Sequence, residues 1–100
     1  MRLTASEVDA IKTCAKTVFA EGVSVRLFGS RTNDAAAGGD IDLYIEPPSD
    51  ELSTLRNELA FKLKLMDAIG DQRIDVVLRS PMGTRRPIDR IASETGIPLL

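Results

Sequence analysis

Apolar positions along the chain switch repeatedly between a helical period and strict alternation. Thr4-Ala5-Ser6-Glu7 has the S/T-x-x-E form of a capping box, and Val8, Ile11, Ala15, Val18 and Phe19 follow at helical spacing. This predicts a first helix, with Gly22 as its left-handed C-terminal cap. Val23 to Phe28 is alternating and rich in strand formers, so it reads as a strand closed by Gly29-Ser30. Arg31 to Ala37 reads as a short helix capped by Ser30 and ended by Gly38-Gly39. Asp40 to Glu46 alternates strictly and stops at Pro47-Pro48, which gives a second strand. Ser49 or Asp50 then caps another helix. Its positions Leu52, Leu55, Leu59, Leu63, Met66 and Ile69 form the apolar stripe that a surface helix turns toward a core, and Gly70 ends it. Arg73 to Leu78 is a third strand. Pro87 opens a last helix with Ile88 and Ile91 facing inward and Gly96 as its stop, and Ile97 to Leu100 reads as a short docking strand.

These elements alternate within 100 residues that are 43% hydrophobic and 28% charged, which fits one small α+β domain spanning the whole chain. No run approaches the ~18 apolar residues of a membrane span, and Met1-Arg2-Leu3-Thr4 leads into an amphipathic pattern, so a cytoplasmic protein is expected. The absence of histidine removes Ser-His-Asp and Cys-His relays and HExxH zinc chemistry. The single cysteine, Cys14, excludes an internal disulfide and sits on the helical pattern where a core thiol belongs. Any reactive groups must therefore be carboxylates, hydroxyls, Lys, Arg or a metal. Thirteen basic against 15 acidic residues give a net charge of −2, so there is no overall basic field to hold nucleic acid. Arg79, Arg85, Arg86 and Arg90 crowd the last part of the chain, as a site for phosphate or an acidic partner, or as an ordinary solvated face.

The acidic residues are placed less evenly than their number implies. On the second strand Ile41, Leu43 and Ile45 share one face, which leaves Asp40, Asp42, Tyr44 and Glu46 on the other. On the third strand Asp75 stands opposite Ile74 and Val76. If the two strands are neighbours, Asp40, Asp42 and Asp75 converge, and converging carboxylates repel one another unless a cation sits among them. Hard cations such as Mg²⁺ take such oxygen ligands, and two of them can clamp a phosphoryl displacement. Gly29 permits close backbone approach, Ser30 offers a hydroxyl at a helix start, and Arg31 can add a bidentate contact, together a place for phosphate. Tyr44 lies on the aspartate face, where it either stacks on a base or simply packs.

The segments Leu27-Phe28-Gly29-Ser30-Arg31, Gly39-Asp40-Ile41-Asp42-Leu43 and Arg73-Ile74-Asp75-Val76-Val77 resemble the minimal nucleotidyltransferases (MNT type) of the DNA polymerase β superfamily. The resemblance implies a nucleotidyltransferase fold, with a small mixed sheet of three to four strands flanked by helices. It also implies transfer of a nucleoside monophosphate from a triphosphate, usually ATP, with Mg²⁺. By that resemblance Gly29 and Ser30 hold the triphosphate, Asp40 and Asp42 bind both metals, and Asp75 binds the catalytic metal near the acceptor hydroxyl. Small members are similar to the antitoxins of HEPN–MNT pairs, in which the MNT protein adenylylates and silences a HEPN ribonuclease. Two other readings compete with this one: a non-catalytic MNT-like subunit that neutralises a partner by contact, and a domain whose aspartates are only a polar strand face.

Overall fold

The computed structural model describes residues 3–29, 40–70, 72–79 and 86–100. Among the described residues the elements are α1 (Ala5–Phe19), β1 (Ser24–Phe28), β2 (Ile41–Glu46), α2 (Leu55–Ile69), β3 (Ile74–Leu78), α3 (Pro87–Thr95) and β4 (Ile97–Pro98). The predicted helix over 31–37 lies outside the described residues, as do Ser30, Arg31, Gly38, Gly39 and Arg85.

The capping box at Thr4 forms as predicted: the Thr4 hydroxyl accepts from the Glu7 amide at 3.1 Å, and Glu7 Oε1 accepts from the Thr4 amide at 2.9 Å. The end of α1 differs. Its cap is Ala20, at φ +75°, and Gly22 takes φ +91° two residues later. The second long helix also starts later than Ser49 or Asp50, because Asp50–Leu52 forms a separate 3-10 turn. Thr54 then caps α2 by accepting from the Asn57 amide at 3.1 Å. Gly70 ends α2 at φ +91°, as expected.

The sheet order is β3-β2-β1-β4. β1 runs antiparallel to β2 and β4, while β2 and β3 are parallel, so the sheet is mixed. The C-terminal docking strand is present: Leu27 pairs with Ile97, and the Leu99 amide donates to the Val25 carbonyl at 2.8 Å. The inward faces of the strands, Val25, Leu27, Ile41, Leu43 and Ile45, are fully buried against Ile11, Ala15 and Phe19 of α1 and Phe61 and Leu65 of α2. The rings of Phe19 and Phe61 meet at 5.9 Å between centroids, where the two helices share the core. Cys14 belongs to this cluster, as its place in the sequence indicates.

Of the stripe predicted to face inward on the second long helix, Leu52, Met66 and Ile69 pack against the core, but the three leucines between them do not. Leu55, Leu59 and Leu63 are 69%, 50% and 68% exposed, and the buried positions are Phe61 and Leu65. Phe61 and Leu65 enter the core with Met66 and Ile69 packed beside them, and Leu55, Leu59 and Leu63 lie on the helix's open side. Ile91 is also corrected: it is 53% exposed, and α3 is anchored instead by Asp89 and Ala92.

α3 lies on the other side of the sheet. Asp89 meets Tyr44, whose side chain is opposite to those of Leu43 and Ile45, and a Cβ at Gly96 would come within 3.1 Å of the Arg26 Cβ. Arg26 and Tyr44 are register partners. One face of the sheet is therefore sealed by α1 and α2, and the other is only partly covered by α3.

Candidate active site

The acidic residues sit on that second face, at the end where β1 finishes and β2 and β3 begin. Parallel pairing puts Asp42 directly across from Asp75, and antiparallel pairing puts Phe28, the last residue of β1, across from Asp42 on its other side. Asp40 immediately precedes β2, one pleat from Asp42. Carboxylate oxygens of Asp40, Asp42 and Asp75 all lie within 4.8 Å of one another. The convergence predicted from two neighbouring strands is thus present.

Gly29 is fixed beside this group. It takes φ +78°, and a Cβ there would collide with the Asp42 carboxylate, so both conformation and the placing of Asp42 favour glycine after β1. The backbone turn and the acidic cluster are in direct contact, which is what a loop delivering a ligand to the carboxylates requires.

Burial raises the Asp42 carboxyl above its ordinary range; the charges of Asp75 and Asp40 and a hydrogen-bonding contact with Asp75 push it the same way, and Arg73 opposes them. The Arg73 Nε lies 3.4 Å from Asp40 Oδ2 and 4.0 Å from Asp75 Oδ2. Asp40 and Asp75 are 38% and 47% exposed at the side chain, open enough for a ligand to reach. Three hard oxygen donors at this spacing, one destabilised as an anion, fit a divalent cation such as Mg²⁺.

A second charged group lies on the same face, centred on Asp89, which nothing in the sequence singles out. Asp89 is 1% exposed and accepts from the Tyr44 hydroxyl at 2.9 Å, from Arg79 Nη1 at 3.0 Å, and from the Arg86 amide and guanidinium at 2.6 and 3.0 Å. Burial alone would raise its carboxyl, but the hydrogen bonds from Arg86 and Tyr44 outweigh that and hold it well below the usual carboxylate range. Arg79 also pairs with Glu46 at 3.0 Å, and Arg86 donates to the Leu78 carbonyl at 2.8 Å. The network ties α3 to the ends of β2 and β3. It also corrects the reading of Arg79 and Arg86 and decides that of Tyr44 in favour of packing. Arg79 and Arg86 form neither a phosphate site nor a simply solvated face, since both are committed to Asp89, whereas Arg90, in an exposed pair with Glu94 at 3.0 Å, does lie on a solvated face. Tyr44 is 4% exposed and hydrogen-bonded, so its ring packs and is not available to stack on a base.

The family model described as "Nucleotidyltransferase domain" matches residues 8–96, and the chain belongs to that family. The matched span contains β1 through α3, Gly29 and all three clustered aspartates. Among functionally curated proteins none matches the chain at a significant level. The family, the mixed sheet and the acidic cluster together fit nucleotidyl transfer.

Proposed function

We propose that the protein is a Mg²⁺-dependent nucleotidyltransferase that moves AMP from ATP to a hydroxyl of a partner protein, in the manner of an MNT antitoxin silencing a HEPN-type ribonuclease in the cytoplasm. The observation that carries the transferase reading is the meeting of Asp40, Asp42 and Asp75 beside Gly29. The protein acceptor and the toxin partner rest on the likeness of the three motifs to minimal nucleotidyltransferases.

In this reading Asp40 and Asp42 would hold both metal ions and Asp75 would share one of them. When bound, Mg²⁺ stabilises charge on the transferring phosphoryl group. The chain's own residues do the remaining work. Gly29 lets the backbone approach the triphosphate, and Ser30 and Arg31 supply a hydroxyl and a guanidinium for its oxygens. The acceptor oxygen attacks the α-phosphorus, the bond from that phosphorus to the bridging oxygen breaks, and pyrophosphate leaves. The acceptor's proton passes to Asp75, directly or through water. Asp75 suits this role because its carboxylate is half exposed, on the strand at the edge of the sheet.

The test incubates the chain with α-labelled ATP, Mg²⁺ and the protein encoded beside it. Label moves to that partner with the wild type and falls at least ~100-fold with Asp42→Asn or Asp75→Asn, the scale of losing an electrostatic or acid–base group. Undiminished transfer by Asp42→Asn would defeat the chemistry. Neutralisation of the partner by both variants, with no added mass on it, would replace catalysis with a contact mechanism.

A further inference from the structure

We infer that Arg73 is a built-in competitor of the divalent cation: its guanidinium and the metal are drawn to the same carboxylates, Asp40 and Asp75, so Arg73 raises the metal concentration at which the site loads. The inference rests on the proposed metal site and adds a regulatory residue to it.

The position of Arg73 is fixed by backbone pairing. Its carbonyl accepts from the Ile41 amide at 3.0 Å, and Ile41 pairs with Ile74, so Arg73 begins beside Asp40 and two residues before Asp75. From there its Nε reaches Oδ2 of Asp40 at 3.4 Å and Oδ2 of Asp75 at 4.0 Å. A cation held among the three aspartates would use oxygens of those same groups. A guanidinium within ~4 Å of them then faces a like charge, and repulsion from the ion offsets much of its attraction to the carboxylates.

How firmly each arginine is held separates Arg73 from the others nearby. Arg79 is 17% exposed and locked between Glu46 and Asp89. Arg73 is 76% exposed, on a flexible stem, with both of its carboxylate partners open to solvent. Such exposed pairs are weak, so Arg73 delays metal entry without preventing it, and it can swing away at little cost when the ion arrives. The sheet order sets where it lies. Gly29 follows β1 on one side of Asp42, whereas Arg73 leads into edge strand β3 on the other. Its backbone therefore lies on the side of Asp42 away from the glycine turn.

Titration of Mn²⁺ or Mg²⁺ alone into the full chain, without nucleotide, reads this directly by calorimetry or by the rise in melting temperature. Arg73→Gln should bind the metal about two- to fivefold more tightly than wild type, the range an exposed ion pair supports, and Arg73→Lys should stay near wild type. The difference between wild type and Arg73→Gln should shrink as ionic strength rises. A residue that merely braced the carboxylates would shift affinity the opposite way, so equal or weaker binding by Arg73→Gln overturns the inference. Wild-type metal binding and label transfer with an unchanged Arg73→Gln affinity removes Arg73's role alone. No metal binding by the wild type overturns this inference and the proposed metal site together.

Discussion

Asp89 shows how much one residue can organise without belonging to a recognisable motif. In the sequence it is an acidic residue in the first turn of a short helix, a common place for a solvated charge. Its burial depends on Tyr44, Arg79 and Arg86, which come from three separate stretches of chain, and no periodicity connects them. Truncating it leaves charged and hydroxyl donors facing a hole. Asp89→Ala should lower stability by about 3 kcal/mol, measured by chemical denaturation. The pH dependence follows from the direction of its shift. The folded carboxyl titrates below the unfolded one, near ~3.9, so its contribution is complete above that pH and drains away as pH falls toward the folded value. Asp89→Asn should flatten the acid limb of the stability curve below about pH 4. Asp42 behaves oppositely: it titrates higher when folded, so its ionisation costs stability as pH rises through that higher value.

Among the elements, α2 separates what periodicity reveals from what it hides. Its spacing establishes a helix, but two apolar rows run along it, and hydrophobic pattern alone does not say which row meets the sheet. The row with Phe61 and Leu65 does, because Phe61 reaches Phe19 across the core while Leu55, Leu59 and Leu63 remain exposed. Phe61→Ala should therefore cost roughly 3–5 kcal/mol, whereas Leu59→Gln should stay within about 0.5 kcal/mol; thermal unfolding of the two variants distinguishes the rows. The strands behaved more simply. In β1 and β2 alternation assigns each side chain to a face and the runs end at Gly29 and Pro47; in β3 the Ile74-Asp75-Val76 stretch is enough to set Asp75 opposite its apolar neighbours.

At the scale of the whole molecule, the candidate site is the product of topology. Parallel β2 and β3 bring Asp42 and Asp75 level, β1 delivers Gly29 against Asp42, and α3 covers only the Tyr44 end of that face. The three aspartates were legible because they follow a two-residue period on strands that became neighbours. Whether the strands were neighbours was not legible, since register is a property of the assembled sheet. Among the described residues no helix is long and apolar enough to cross a membrane. The most direct measurement of the central claim is the melting temperature with Mg²⁺ and a non-hydrolysable ATP analogue, each alone and together. If the clustered aspartates hold metal for a nucleotide, the pair at ~100-fold over Kd should stabilise the wild type by about 2.7 kcal/mol, with the gain lost in Asp42→Asn. A melting temperature that stays flat across both titrations, or rises equally in Asp42→Asn, would contradict the account.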